Sequence, residues 1–306
     1  EILMSELSEY TPHPSPLPQG ERGLDRVTSN YILTIFEENF NAADLPFFMN
    51  LTEHLANEGI VCPHPIHNKL GGVIGNINGK PAVLIEFLQG RGNPHITPCH
   101  LELVGELTAK LHLATQDFSE KRENSLGIVG LQKLFTGMRG HIDEIKSGLE
   151  NEIAGELKFL AQNLPKDLPA GIVHTDIFPD NVFFIDGNTD QPELSGIIDF
   201  YFSCYDFYIY DLMIVLNAWC FDATHQFVPK RAIALLRGYN SVRKITQAEK
   251  DTMSILGRLA AMRFLLTRCD AWLNRVDGAL VNIKDPMEYV HKLRFYQEGG
   301  SEKFTI

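Results

Sequence analysis

The fold is decided by residues 171–202, which read GIVHTDIFPDNVFFIDGNTDQPELSGIIDFYF. Four polar residues, His174, Asp176, Asn181 and Asp199, stand here among neighbours that favour strands or aromatic packing. The five-residue step from Asp176 to Asn181 contains a proline, which excludes one continuous helix and predicts a loop. Two short strands follow, NVFFI and LSGIIDF, and a polar turn joins them.

These two strands predict a hairpin. A hairpin brings the start of its first strand beside the end of its second, so Asn181 and Asp199 can meet near Asp176. Two oxygen ligands beside a free carboxylate suit Mg²⁺ with its bound phosphates and a base for a hydroxyl proton. Single Asp and Asn residues most often cap turns. Three of them at these spacings, beside His174, instead favour a site for metal and phosphate and predict phosphoryl transfer.

The composition is that of an ordinary globular protein, with 44% hydrophobic and 22% charged residues in 306. The net charge of −12 argues against general binding to nucleic acid or to an anionic membrane. No apolar run approaches the roughly 20 residues that span a bilayer, and the acidic start is unlike a signal peptide. The five cysteines form no CxxC pair, so we expect them to be reduced and mostly buried in a cytoplasmic protein.

The order of elements along the chain predicts an α+β protein with two lobes. Residues 1–27 include a stretch rich in proline and glycine and are expected to be irregular. Residues 28–88 are rich in strands and are expected to form a small N-terminal lobe. Residues 89–306 are mainly helical and are expected to form a larger C-terminal lobe, with the hinge at residues 85–92.

Hydrophobic periodicity locates the helices and strands within these lobes. Strands are expected over residues 30–38, 73–77 and 81–87, and a turn at Asn78-Gly79 joins the last two. A helix with Asp44 as its N-cap is expected over residues 44–57. The helices of the larger lobe are expected over residues 100–115, in two stretches around 139–163, and over 210–220, 229–240 and 253–276.

The motif HxDxxxxN, followed by a strand and then IDF, resembles the catalytic loop and metal-binding Asp of the kinase-like superfamily. Within it, the aminoglycoside and choline phosphotransferase branch is the more similar part. The runs IVHTDIFPDNVFF, LSGIIDFYFSCYD, YDLMIVLNAWCF and RFLLTR resemble those of the bacterial homoserine kinases in that branch, and the similarity covers residues 31–295. The resemblance implies a two-lobed protein-kinase-like fold, ATP and Mg²⁺ as cofactors, and L-homoserine as a small-molecule acceptor.

The resemblance also implies roles for individual residues. Asp176 would be the catalytic base, and Asn181 and Asp199 would bind Mg²⁺. His174 and Asp211 would support the catalytic loop by hydrogen bonding.

Nucleotide binding is implied at the segment between the lobes, where backbone groups of Glu86, Phe87 and Leu88 would bind adenine. The beginning of the chain departs from the family pattern, because a proline-rich stretch stands where a glycine-containing hairpin belongs. No lysine precedes Lys69, and Thr34 falls about where a phosphate-binding lysine would lie. We therefore expect a small N-terminal lobe that is truncated or altered.

A homoserine site needs an arginine for the carboxylate and an acidic group for the ammonium. Arg263 and Arg268 lie on an apolar helix, where a charge needs a partner, and Tyr205 and Asp206 follow the metal-binding Asp. These four residues are the candidate substrate contacts, although an ion pair between helices or a polar loop would also explain them.

Trp219 and Cys220 are expected to belong to the core. Two other functions stay open at this point. One is a kinase for choline, an aminoglycoside or another alcohol, and the other is a catalytically impaired nucleotide-binding protein.

Overall fold

The structure is a computed structural model that describes residues 30–37, 41–92, 95–185, 191–275 and 283–304. The predicted irregular segment over residues 1–27 lies outside the described residues. The smaller lobe contains an antiparallel sheet of β1 (Tyr31–Ile35), β2 (Ile74–Ile77) and β3 (Lys80–Glu86) in the order β1-β3-β2. The predicted Asn78-Gly79 turn joins β2 to β3, with φ of +51° and +84°, which is the two-residue hairpin geometry that Asn-Gly favours.

The smaller lobe also contains helix α1 (Leu45–Asn57), which covers the predicted residues 44–57 almost completely. Asp44 is the N-cap residue of this helix, as predicted, but its side chain makes no capping hydrogen bond. Asp44 instead ends a short 3-10 helix over Ala42–Asp44, and its carboxylate accepts a hydrogen bond from Arg122 Nε at 2.7 Å. The Asp44 carboxylate therefore binds Arg122 of the larger lobe and does not bind the amides at the start of α1.

The larger lobe contains seven helices within the described residues. They are α2 (Pro98–Ala114), α3 (Ile128–Met138), α4 (Leu149–Asn163), α5 (Tyr208–Trp219), α6 (Pro229–Val242), α7 (Gln247–Leu273) and α8 (Met287–Gln297). Short 3-10 helices lie over Ile142–Glu144 and Gly300–Phe304. None of the described helices is both long and apolar enough to cross a bilayer.

Three helix predictions need correction. The first of the two stretches expected around 139–163 lies earlier, at α3, because Gly140 and Gly148 adopt positive φ and interrupt the chain between α3 and α4. Helix α7 begins before the predicted residue 253, since Thr246 and Glu249 form a capping box. Helix α8 was not predicted.

Two small antiparallel sheets support the loop that contains Asp176 and Asn181. Strand β4 (Ala170–Val173) pairs with β7 (Cys204–Phe207), and β5 (Val182–Phe184) pairs with β6 (Leu194–Ile197). The β5–β6 pair is the predicted hairpin. The β4–β7 pair was not predicted, because two four-residue strands separated by the whole hairpin give no periodic signal of their own.

Helix α5 forms the centre of the core, since every residue in it except Ala218 is buried. Beside it, the helices α2 and α6 pack against each other at very close range. A side chain at Gly105 would collide with the backbone of α6, and one at Gly238 would collide with the backbone of α2. The two glycines therefore allow these helices to touch backbone to backbone.

The lobes are joined by backbone hydrogen bonds as well as by the chain. The amide of Ile197 in β6 donates to the carbonyl of Val61 at 3.0 Å, and Gly196 leaves no room there for a side chain. On the other side, Arg91 and Phe184 exchange two backbone hydrogen bonds at 3.0 and 3.1 Å. The Val61 contact fixes the hairpin β5–β6 against the smaller lobe, and the Arg91 contacts fix it against the segment that joins the lobes. A cleft remains between the lobes.

Candidate active site

The loop between β4 and β5 brings three of the predicted residues together. Asn181 Nδ2 donates hydrogen bonds to the backbone oxygen of Asp176 at 2.8 Å and to its Oδ2 at 3.0 Å. The amide of Ile198 donates to the carbonyl of Asn181 at 2.9 Å, which places the next residue, Asp199, at the same end of the hairpin. Asp176, Asn181 and Asp199 all line one cavity of about 260 Å³.

The ligand chemistry of this cavity fits Mg²⁺. Because Asn181 uses its amide nitrogen on Asp176, its side-chain oxygen is the atom left to bind a cation. Asp199 adds a carboxylate, so the protein offers two hard oxygen ligands. Mg²⁺ is usually bound in this way, with water and substrate phosphates completing the octahedron. Within the described residues, no three His, Cys, Asp or Glu side chains are grouped to hold a metal.

Burial raises the pKa of Asp176 above that of an exposed carboxyl group, and the negative charge of Asp199 raises it further. The positive charge of Arg263 opposes this rise. A carboxylate with a raised pKa holds a proton more tightly and is a better general base than an exposed one.

His174 braces the loop. Its Nδ1 accepts a hydrogen bond from the backbone amide of Asp176 at 3.1 Å, which assigns the ring proton to Nε2, the donor to the carbonyl of Ile198 at 3.0 Å. The ring is buried and lies 4.6 Å from that of Phe200, centroid to centroid. With both nitrogens bonded within the protein, His174 connects the loop to the hairpin and has no proton to give a substrate.

Asp211 supports the same loop from the start of α5. Its carboxylate accepts hydrogen bonds from the backbone amides of His174 at 3.1 Å and Thr175 at 2.7 Å. Thr175 has φ of +64°, an unusual value for a β-branched residue. Its hydroxyl donates to the carbonyl of Phe202 at 3.0 Å. The loop is therefore held in a strained conformation immediately before Asp176.

A buried hydrogen-bond chain extends from Asp211 into the helical core. His112 Nε2 donates to Asp211 at 3.0 Å, His112 Nδ1 accepts from the Tyr239 hydroxyl at 2.8 Å, and Arg243 donates to that hydroxyl at 3.1 Å. Burial lowers the pKa of His112 and keeps its ring neutral. Although burial opposes ionisation of Asp211, the hydrogen bond from His112 holds its pKa below the usual carboxyl value. Asp211 is therefore the charged member of the pair.

Trp219 and Cys220 are buried, as predicted for core residues. The indole Nε1 of Trp219 also donates to the carbonyl of Ile177 at 2.8 Å, on the residue after Asp176. Of the five cysteines, which are all unpaired, only Cys99 is exposed.

A second cavity, of about 370 Å³, lies between the lobes next to the first, and Asp199 lines both. Its walls are mostly apolar and include all three of the predicted adenine-binding residues. The amides of Glu86 and Phe87 already donate to the carbonyls of His64 and Asn30, at 2.9 and 3.0 Å. Within the described residues the amide of Leu88 has no backbone acceptor, so it is the one amide of the three that can donate to a base.

Thr34 lines this second cavity and hydrogen-bonds to Tyr201. No Lys or Arg is among the described residues that line the cavity. The nearby strand β3 begins with Lys80, whose ammonium group forms an ion pair with Glu37.

Arg263 on α7 is almost completely buried, at 2% exposure, and its Nε and Nη1 atoms have no hydrogen-bond partner among the described residues. Its guanidinium carbon lies 5.4 Å from the ring centroid of Phe202 and 5.0 Å from that of Phe264. It is also close enough to Asp176 and Asp206 to lower the pKa of both. Two unpartnered nitrogens on a buried cation are costly.

Asp206 in β7 faces the same region as Arg263. Burial raises the pKa of Asp206, while hydrogen bonds from Asn124 at 2.6 Å and from the amide of Phe207 at 2.7 Å oppose the rise. Arg268 lines the cavity that contains Asp176, but it already donates to Glu288 at 2.6 Å and to the carbonyl of Asp285 at 3.0 Å.

Tyr205, the other candidate substrate contact, lines a different groove from the cavity that contains Asp176. Successive residues of a strand point to opposite faces, so Tyr205 points away from the side on which Asp206 lies. It is 38% exposed, lies under the ammonium group of Lys121 at 4.1 Å, and lines a separate groove with Gly171 and Tyr208.

Two groups that the sequence did not reveal belong to this site. Lys284 lines the cavity with Asp176 and Asp199, and His112 carries the hydrogen bond from the core to Asp211. Both lie far from the HxDxxxxN motif in sequence, and only the packing of helices brings them near it.

The chain is similar in sequence to known proteins. The phosphotransferase enzyme family matches residues 21–245 of the chain. A homoserine kinase of Chelativorans sp. (strain BNC1) is 46% identical over 268 residues, which cover 88% of this chain and 82% of that protein. A homoserine kinase of Beijerinckia indica subsp. indica is 42% identical over 300 residues, covering 98% of this chain and 90% of that one.

Solved structures resemble this one in fold. Amicoumacin kinase hAmiN, in complex with AMP-PNP, Ca²⁺ and Ami, has a TM-score of 0.67 at 16% identity, covering 97% of this chain and 92% of that one. Spectinomycin phosphotransferase, in complex with ADP and spectinomycin, has a TM-score of 0.64 at 13% identity, covering 92% and 88%. The predicted two-lobed protein-kinase-like fold is therefore confirmed.

Proposed function

This chain belongs to the phosphotransferase enzyme family, and we propose that it is a homoserine kinase, which transfers the γ-phosphoryl group of ATP to the hydroxyl of L-homoserine. The observation that carries this assignment is the identity of 42–47% to curated homoserine kinases over most of the chain. The product, O-phospho-L-homoserine, lies on the way to threonine.

In the proposed mechanism, Asp176 accepts the proton of the homoserine hydroxyl while the hydroxyl oxygen attacks the γ-phosphorus. The raised pKa of Asp176 supports this role. The hydrogen bonds from Asn181 fix the direction of the Asp176 carboxylate. Asn181 and Asp199 would hold Mg²⁺, which when bound neutralises charge on the phosphates.

The adenine of ATP would occupy the apolar cavity between the lobes, with the amide of Leu88 as its backbone donor. Aromatic and aliphatic walls suit a flat base. The phosphates would then extend past Asp199, which lines both cavities.

The acceptor would be held by Arg263 and Asp206. The unpartnered guanidinium nitrogens of Arg263 suit the α-carboxylate, and Asp206 suits the ammonium group. Arg268 is engaged by Glu288, so we assign it to positioning the segment before α8.

The division of the chain into segments 1–27, 28–88 and 89–306 is also part of this proposal. The end of the three-stranded sheet at Glu86 supports a boundary near residue 88. Five unpaired cysteines, four of them buried, support a reducing compartment, for which we propose the cytoplasm.

The test is a panel of acceptors at fixed ATP with coupled detection of ADP. We expect homoserine to be preferred over choline, aminoglycosides and simple sugars, and turnover to require Mg²⁺. Preferred phosphorylation of another acceptor would contradict the assignment. Nucleotide binding without phosphorylation of any acceptor would instead support an impaired nucleotide-binding protein.

A further inference from the structure

Phosphoryl transfer develops charge on the transferred group, and kinases place cations where that charge appears. The smaller lobe of this chain provides few of them. Between residues 30 and 88 the only Lys or Arg residues are Lys69 and Lys80. Lys80 forms an ion pair with Glu37, and Thr34 occupies the expected lysine position. Among the residues that the structure describes, the cations that line the cleft cavities come from the larger lobe.

The cavity that contains Asp176, Asn181 and Asp199 is lined by two cations, Arg268 and Lys284, both from the larger lobe. Arg268 is already hydrogen-bonded within the protein, because Glu288 and the carbonyl of Asp285 accept its hydrogen bonds at 2.6 and 3.0 Å.

Lys284 is the more available of the two. Its ammonium nitrogen lies 3.7 Å from Asp180 Oδ2 and 5.5 Å from the ring centroid of Phe178. Both neighbours belong to the loop between Asp176 and Asn181. The side chains of Lys284 and Asp180 are 56% and 69% exposed, so this ion pair is easily exchanged for a ligand.

The backbone around Lys284 is anchored on the cavity side. Arg268 holds the carbonyl of Asp285, and the Asp285 carboxylate accepts the amide of Met287 at 2.8 Å, at the first residue of α8. The backbone next to Lys284 is therefore held in place, while its side chain is exposed to the cavity and to solvent.

We propose that Lys284 is a catalytic residue that contacts the phosphoryl group during its transfer. This inference rests on the proposed kinase function. In the step concerned, the acceptor hydroxyl gives its proton to Asp176 and its oxygen bonds to the γ-phosphorus. The bond from that phosphorus to the bridging oxygen breaks, and ADP leaves with the electron pair. The ammonium group of Lys284 neutralises charge on the phosphoryl oxygens and exchanges no proton.

The acceptor's carboxylate is a rival ligand for Lys284. Arg263 is the better match for that carboxylate, because its buried nitrogens lack partners, whereas Lys284 lies beside the residue that precedes Asn181. The two roles differ in what they predict. A phosphoryl contact acts whether the acceptor is homoserine or water, and a carboxylate contact acts only with homoserine.

The experiment compares Lys284→Met, Lys284→Arg and a control, Lys166→Met, in the full-length chain. Lys166 is an exposed lysine between α4 and β4 that lines neither cleft cavity. Three quantities are measured: homoserine kinetics, ATP hydrolysis without acceptor, and the affinity for ADP with aluminium fluoride and Mg²⁺, which imitates the transferring group.

For Lys284→Met we expect kcat to fall about 10²-fold, the scale for loss of one transition-state contact. Acceptor-free hydrolysis and affinity for the fluoride complex should fall in parallel, while affinity for ADP alone stays unchanged. Lys284→Arg should recover most of the loss, and Lys166→Met should behave as wild type.

The proposal is overturned if Lys284→Met keeps the kcat and fluoride-complex affinity of the control. A raised KM for homoserine with unchanged hydrolysis would also overturn it and would make Lys284 an acceptor contact. Should the wild type fail to phosphorylate homoserine, the function assignment fails instead. The fluoride-complex affinity still tests Lys284 in that case, because it needs no acceptor.

Discussion

The backbone amide of Thr175 donates a hydrogen bond to Asp211 Oδ1 across 2.7 Å, and Thr175 holds φ at +64°. A β-branched residue in this region costs of order 1–3 kcal/mol and persists only when its surroundings impose it. Asp211 imposes it here with two amide hydrogen bonds. The strain lies one residue before Asp176, so the proposed base is positioned by a carboxylate on helix α5.

Removal of Asp211 should therefore destabilise the fold as well as the site. Asp211→Ala leaves His112 and two amides without their acceptor, and we expect the free energy of unfolding to fall by about 3–5 kcal/mol. Tyr239→Phe removes only the hydroxyl that donates to His112 and should cost about 1 kcal/mol. Urea unfolding measures both changes. Asp167→Ala, at an exposed site, is the control, and a loss at Asp211 no larger than at Asp167 would contradict the positioning role.

Asp176→Asn should abolish turnover while it stabilises the protein. General-base catalysis contributes about 10²–10⁴-fold, so kcat should fall by at least that range. The folded-state pKa of Asp176 is raised, so the wild type loses stability as the pH rises from the usual carboxyl value through the raised one. The variant has no such loss, and its advantage in Tm should grow with pH over that interval.

The same raised pKa predicts that kcat/KM of the wild type declines as the pH is lowered through it, because protonated Asp176 cannot accept a proton. A pH profile with the same acid limb in Asp176→Asn and in the wild type would show that another group is the base.

Asp199→Asn should weaken metal-dependent turnover. Loss of a metal carboxylate removes several kcal/mol of charge stabilisation, so we expect kcat to fall about 10²-fold or more and the half-saturating Mg²⁺ concentration to rise. A titration of Mg²⁺ at saturating ATP and homoserine measures both. Asp251→Asn, an exposed change on α7, is the matched control. Near-normal turnover in Asp199→Asn would remove this residue from the site.

Arg263→Met should weaken homoserine binding without destabilising the fold. We expect the KM for homoserine to rise about 10²-fold, since the α-carboxylate loses its guanidinium partner, while the KM for ATP changes little. Because the substitution removes a buried charge with unpartnered nitrogens, the free energy of unfolding should stay level or increase by about 1 kcal/mol. Tyr205→Phe, outside the cleft, should leave homoserine kinetics unchanged. A loss of stability without a change in KM would make Arg263 a structural residue.

The sequence predicted the loop and hairpin well because their geometry is local. Asp176 and Asn181 lie within one loop, and Asp199 ends the hairpin that follows, so spacing alone brings them together. The sequence did not show that Tyr205 and Asp206 point to opposite faces, because β7 was not predicted. Asp44 holds the predicted N-cap position, but the sequence did not show that its carboxylate would bind Arg122 of the other lobe.

Lys284 and His112 were missed because their partners also lie far from them in sequence. The contact of Lys284 with Asp180 depends on how α7 and α8 pack. The hydrogen bond from His112 to Asp211 needs α2 beside α5. Hydrophobic periodicity shows which face of a helix is buried, but it does not show which helix lies opposite.

Gly105 and Gly238, each of which lies against the backbone of the other's helix, are positions outside the cleft where we expect substitutions to inactivate the enzyme. Gly105 shares a helix with His112, and Gly238 is adjacent to Tyr239. A side chain on either glycine wedges the helices apart and breaks the His112–Tyr239 link. A saturation library scored by growth on medium lacking threonine should thus record these two positions as intolerant as Asp176, although neither meets a substrate.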